Sequence, residues 1–171
     1  MPRQSRHFRS HRLRIGRRSL VGQAYVVTTV TRDREPVFAD WDGACACARV
    51  LHRMPHHAPV NSLAWVVMPD HIHWLFGLES GTLGGVMKIL KAHSAHAING
   101  ISGSRGSIWQ PGYHDHALRC EEDIRAFARY IVANPVRAGL CERVGDYPFW
   151  NAIWVEGGNV KDVPDDLVAE Q

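Results

Sequence analysis

The first 32 residues contain no aspartate or glutamate, although the whole chain of 171 residues holds 17 of them. Arg3, Arg6, Arg9, Arg12, Arg14, Arg17, Arg18 and Arg32 all precede Asp33, the first acid, which leaves 12 of the 20 lysines and arginines to face those 17 acids. The formal net charge of +3 hides this imbalance. A one-signed arm suits a polyanion such as nucleic acid or an acidic membrane surface; its plain alternative is a solvated tail. Cysteine is scarce. Cys45, Cys47, Cys120 and Cys141 form no C-x-x-C pair, and Cys45 and Cys47 point to different faces of a helical pattern, so all four read as reduced thiols of a cytosolic protein. No stretch reaches the roughly 20 apolar residues needed to span a bilayer. Ser19 to Val30 carries Gln23, Thr28 and Thr29 and lacks the clean apolar run and cleavage site of a signal peptide. There are no internal repeats.

What is present is enough for a core: 45% of residues are hydrophobic, and the length suits one domain. Residues 1–18 read as a flexible basic arm, 19–155 as the folded domain and 156–171 as an acidic tail. Ala24–Val30 is β-branched and aromatic, a strand. Trp41 to Met54 is a helix that Pro55 stops. Val60–Met68 and His71–Leu78 are strands joined at Pro69-Asp70 as a hairpin. Gly81 to Asn99 is a helix with Leu83, Val86, Met87, Leu90 and Ala97 facing the core. A Gly/Ser loop covers Ile101–Ser107, and an extended segment lies within Ile108–Leu118. Glu121 to Asn134 is a third helix that Pro135 ends. Strand, helix, strand, strand, helix, strand is the split βαβ order of ferredoxin-like folds: an α+β palm, mainly antiparallel, with helices on one face.

Chemistry enters at Met68-Pro69-Asp70-His71-Ile72-His73-Trp74-Leu75-Phe76. Side chains alternate along a strand, so Ile72, Trp74 and Phe76 face the core while His71 and His73 stand side by side on the other face. Two imidazoles so placed can reach one ion, unless they are simply half-exposed strand histidines. In the third helix Tyr130 and Asn134 are four apart and flank the core stripe of Ile124, Phe127, Ala128 and Ile131. They can reach over the sheet edge to the histidines, with the Asn134 amide oxygen as a third ligand. The plain alternatives are a boundary tyrosine and a helix-ending asparagine.

The phrases MPDHIHWLF, IWQPGYHDHALR and ARYIVANPVRAGL resemble the REP-associated tyrosine transposases, within the HUH single-tyrosine transposases of bacterial insertion sequences. The HUH phrase is His71-Ile72-His73, the tyrosine phrase runs from Tyr130 to Asn134-Pro135, and the opening strand phrase at Tyr25 also matches. The resemblance covers roughly residues 12–154. It implies a ferredoxin-like palm that cleaves single-stranded DNA beside a hairpin, often a repetitive extragenic palindrome (REP). It implies a 5′-phosphotyrosine intermediate on Tyr130 and a metal at His71, His73 and Asn134. No energy cofactor is implied, and relatives occur as monomers and as homodimers. The setting is a bacterial cytoplasm, at the nucleoid.

Mixed nitrogen and oxygen ligation suits Mg²⁺ or Mn²⁺. Tyrosine, with a reference pKa near ~10, needs activation, which a metal-bound phosphate supplies in part. His114-Asp115-His116 is the rival H-x-H, with His116 a group behind the ligands or a DNA contact. Tyr113 is the rival nucleophile, without a helical asparagine. Tyr25 and Tyr147 read as core or boundary, His93 and His96 as surface, and His52, His56 and His57 as loop. DNA contacts are expected from Arg12, Arg14, Arg17, Arg18, Lys88, Lys91, Arg105 and Arg119, with Trp109 and Tyr113 stacking on unpaired bases or packing inside. The alternatives to the nuclease are a hairpin-binding module that does not cut and a hydrolase that makes no tyrosine adduct.

Overall fold

Residues 19–118 and 121–154 are described by the computed structural model. The arm with Arg12, Arg14, Arg17 and Arg18, the tail 156–171 and Arg119 lie outside them. Strand β1 is Ala24–Val30, as its β-branched run requires. Helix α1, Trp41–His57, starts where the Asp40 carboxylate accepts the Gly43 N–H at 2.9 Å. Pro55 does not stop it. The proline lies in the last turn, where its missing N–H removes one helical bond, and the next turn is still closed by Ala58 N–H donating to the Met54 carbonyl. His52, His56 and His57 are therefore helical and exposed rather than in a loop.

Strands β2, Val60–Met68, and β3, His71–Leu78, form the expected hairpin, with Met68 opposite His71 and Val60 opposite Leu78. Helix α2 spans Leu83–Ser102, later at both ends than expected. Gly81 at φ +74° holds the chain outside the helix, the Thr82 hydroxyl caps Gly85 N–H, and Gly103 at φ +66° supplies the left-handed exit. Strand β4 is His114–Leu118, α3 is Glu121–Val132, α4 is the single turn Asn134–Arg137, and β5 is Trp150–Ala152. The last of these is only three residues long and pairs with Ala64–Val66 of β2.

The five strands pair antiparallel in the order β4-β1-β3-β2-β5, whose first four are the ferredoxin-like arrangement. The helices do not share one face. Val27, Trp65, Val67, Ile72, Trp74 and Phe76 pack against α1 and α2. Val66, Met68, Leu75 and Leu118 pack against Ala128, Ile131 and Val132 of α3 on the opposite face. The cause is visible in β2 and β3, whose buried residues include consecutive positions and so fall on both faces, and both faces demand cover. Burying an Ile or Val side chain contributes about 1.5–3 kcal/mol, so Ile131 and Val132 hold α3 as a true layer.

Candidate active site

Strand β3 is the central strand, and its odd positions face α3. His71 and His73 therefore stand on the same sheet face that the helix covers, not across a sheet edge from it. Their Nε2 atoms are 3.2 Å apart, with ring centroids at 4.8 Å and planes crossing at 83°. Each Nδ1 is occupied from behind. Asp70 Oδ1 lies 2.5 Å from His71 Nδ1, and Thr28 Oγ1 lies 2.7 Å from His73 Nδ1. Thr28 reaches it because β1 pairs Thr28 with His73. Two imidazole nitrogens bound to one ion at about 2.1 Å stand roughly 3.0–3.4 Å apart, so the pair fits a single metal. Backing of both Nδ1 atoms is what orients such ligands.

The turn beneath the pair is anchored. Asp70 Oδ2 accepts from Arg34 at 2.8 Å, Thr31 donates its N–H and its hydroxyl to the Asp70 carbonyl, and Phe38 N–H donates to the Pro69 carbonyl. Arg34 and Asp33 hold left-handed backbone, φ 57° and 53°, a conformation that costs about 1–3 kcal/mol in a residue with a side chain and is here used to aim Arg34 at Asp70. Burial alone would raise the Asp70 carboxyl, but the hydrogen bonds and charges of His71 and Arg34 hold it below the usual range. His73 is pushed down to about 4, first by burial and then by the charges of His71 and Arg137. It is thus a neutral ligand-ready imidazole at pH 7.

That depression has a stability consequence. His73 takes a proton at its ordinary 6.5 when unfolded and only near 4 when folded. Its contribution is complete above about pH 6.5, is lost progressively as pH falls towards 4, and is flat below that. Metal-free protein should show a falling Tm across that window, and His73→Gln should flatten the fall. An unchanged slope in the variant would show that another group is responsible.

Tyr130 is 54% exposed on α3. Its ring lies under the Arg137 guanidinium, 3.7 Å from carbon Cζ to the centroid, and meets Phe127 edge-on at 6.4 Å. Phe127 in turn stacks on His116 at 5.6 Å. Beside the phenol lies an open groove of about 330 Å³ lined by Ala126, Phe127, Arg129, Tyr130, Ala133 and Arg137. The helix does not run on to Asn134 as expected. It ends at Val132, and the chain turns at Ala133 into α4. Asn134 Nδ2 donates to the orphan carbonyls of Tyr130 and Ile131, and Arg137 Nη2 donates to the Tyr130 carbonyl and to Asn134 Oδ1, the last at 2.8 Å. One lone pair of Oδ1 remains. Among the described residues no third His, Cys, Asp or Glu joins the histidine pair to hold a metal.

The rival residues sort by burial and position. His114 and His116 share the α3 face, but His114 opposes Thr28 rather than His73, which places it two strands, about 10 Å, from the pair. Trp109 is 5% exposed and donates its indole N–H to Ser94 Oγ, so it is core and not a stacking platform. Tyr113 is half-buried against the same core. Lys91 Nζ donates to the carbonyls of Gln110 and Gly112, pinning the segment before β4. Lys88 and Arg105 are exposed, but Lys88 belongs to the face opposite the histidines. Tyr25 is buried, and Tyr147 donates to the Val67 carbonyl. Sequence reasoning missed Asp70, Thr28 and Arg137. For Asp70 a signal existed in its adjacency to His71.

The family model described as Transposase IS200 like matches residues 19–134. The REP-associated tyrosine transposase of Escherichia coli K12 is 36% identical over 93 residues, 53% of this chain and 53% of that protein, so the chain spans about half the length of this relative. A Haemophilus influenzae protein provisionally given the same name is 27% identical over 139 residues, covering 75% of this chain and 78% of its own. A solved structure of a REP-associated tyrosine transposase bound to a REP hairpin superposes with a TM-score of 0.66 at 28% identity, over 78% of this chain and 79% of the other. The matched span runs from the start of the described fold to Asn134 and takes in both the histidine strand and the tyrosine helix; the chain belongs to the IS200-like transposase family.

Proposed function

We propose that the protein is a metal-dependent HUH endonuclease and strand transferase for single-stranded DNA beside hairpins, with Tyr130 as nucleophile and His71, His73 and Asn134 as metal ligands. The observation that carries this is the convergence of two Nδ1-backed imidazoles on the sheet face that α3, bearing Tyr130, covers. The hairpin-bound relative supports the substrate class. A bound Mg²⁺ or Mn²⁺ would supply positive charge to a non-bridging phosphate oxygen.

The chain's own residues do the rest. The Tyr130 phenol oxygen forms a bond to phosphorus as the bond to the 3′ oxygen breaks, so the 5′ side becomes a tyrosine phosphodiester. The phenolic proton is lost to solvent, and the departing 3′ oxygen takes one up to become a 3′-OH. The number of phosphate ester bonds is unchanged, so a second 3′-OH reverses or redirects the joining without an energy cofactor. Asp70 and Thr28 fix the imidazoles, and Arg34 holds Asp70. Such an enzyme works where bacterial DNA is, at the nucleoid; among the described residues no helix is long and apolar enough to cross a membrane.

End-labelled hairpin DNA with a single-stranded flank, incubated with Mn²⁺ or Mg²⁺, should yield a protein–DNA adduct that survives denaturing electrophoresis and disappears with EDTA. Binding without adduct would replace this reading with a non-cleaving hairpin module. A free 5′-phosphate product without adduct would replace it with a hydrolase.

A further inference from the structure

We propose that Arg137 is a further catalytic residue, the side chain that takes a non-bridging oxygen of the attacked phosphate, and that the groove beside Tyr130 is a phosphodiester-binding site. The inference rests on the reading of Tyr130 as nucleophile.

Arg137 is exposed, and among the described residues no carboxylate neutralises it. Its guanidinium lies over the Tyr130 ring at 3.7 Å and lines the groove onto which that ring opens. An anion that meets the phenol oxygen is therefore within a few ångströms of a full positive charge. Nη2 is committed to the Tyr130 carbonyl and Asn134 Oδ1. These bonds fix the plane of the guanidinium and leave donors on its other nitrogens for an incoming oxygen. The same bonds tie the proposed nucleophile, the proposed third ligand and the cation into one unit, so the group needs no reorganisation when charge develops on the phosphate.

A capping role alone predicts less. The carbonyls at the C-terminus of α3 need donors, and Asn134 already supplies two. A cap does not require a permanent charge or a ring stacked beneath it. Of the other lining residues Arg129 is basic and Ala126, Phe127 and Ala133 are apolar, so the charge offered to an anion there comes from the arginines.

The test compares adduct formation under single-turnover conditions with saturating hairpin DNA, carrying at the scissile linkage either an ordinary phosphodiester or a methylphosphonate, which lacks the charged oxygen. Arg137→Ala should slow adduct formation on the phosphodiester by about 10²–10³-fold, the usual effect of losing one donor to a developing oxyanion. The deficit relative to wild type should vanish on the methylphosphonate, and added guanidinium ion should restore part of the rate on the natural linkage. Arg137→Gln keeps a capping donor without the charge and should behave alike, so a folding defect in the alanine variant does not stop the test. Equal deficits on both linkages, or wild-type rates in both variants, would overturn the proposal while leaving Tyr130 in place. A wild-type protein that forms no adduct would sink the Tyr130 reading and this proposal with it.

Discussion

Tyr130→Phe should bind hairpin DNA as tightly as wild type and form no covalent adduct. The substitution removes one oxygen from a ring that is more than half exposed. Among the described residues its hydroxyl has no hydrogen-bond partner, so no fold contact is lost. The stack under Arg137 and the edge contact with Phe127 depend on the ring and persist in phenylalanine. Stability should change by less than about 0.5 kcal/mol, as for other surface changes away from caps and core. Rate is another matter. Removing a nucleophile has cost on the order of 10⁶-fold in a well-dissected serine protease, so the adduct should fall below detection. The check is a denaturing gel run beside a binding titration on the same DNA. An adduct persisting in the variant would remove Tyr130 from the role, and the half-buried Tyr113 would be the next residue to replace.

The second large effect is expected at the strand. His73→Ala leaves His71 alone opposite nothing, and Mn²⁺ retention and adduct formation should both collapse. Asp70→Asn should fall between that variant and wild type, by about 10–100-fold in metal affinity, the range for a partner that orients a ligand. The asparagine can still accept from His71 Nδ1, but it gives up the charge that Arg34 and His71 stabilise. Mn²⁺ titration followed by electron paramagnetic resonance reads the affinity without relying on activity. Wild-type Mn²⁺ affinity in His73→Ala would rule out a metal at the pair. Equal losses in the two variants would mean Asp70 does more than orient.

Much of this was legible in one dimension, and the part that was not has a physical reason. The period of two along His71–Phe76 separates histidines from core with no further information, and the helical wheel puts Tyr130 beside its apolar stripe. The side of the sheet that α3 covers is not legible there, because the wheel says which face of a helix is apolar, not which layer it joins. The signal in the sequence is the unbroken apolar run Leu63–Met68, which does not alternate as a strand with one covered face would. Thr28 is 45 residues from His73, and only the pairing register joins them. Arg137 lies beyond Pro135, where a break was expected; the proline instead starts a new turn that folds the arginine back over Tyr130. Trp109 and Lys91 have the composition of a DNA surface but bond inward, because a buried indole N–H and unpaired loop carbonyls are costly to leave alone.

The sheet, covered on both faces, also divides the protein's tolerance to change. The residues proposed for chemistry sit on the α3 side or around the hairpin turn, while α1, α2 and the side chains of Trp74 and Phe76 lie behind the sheet. On the proposed function, core substitutions behind the sheet should act through folding, and those in front of it through cleavage as well. A deep mutational scan scored separately for abundance and for adduct yield would therefore split along the plane of the strands, and the rear layer is the place to attach a label or add stabilising substitutions without touching catalysis.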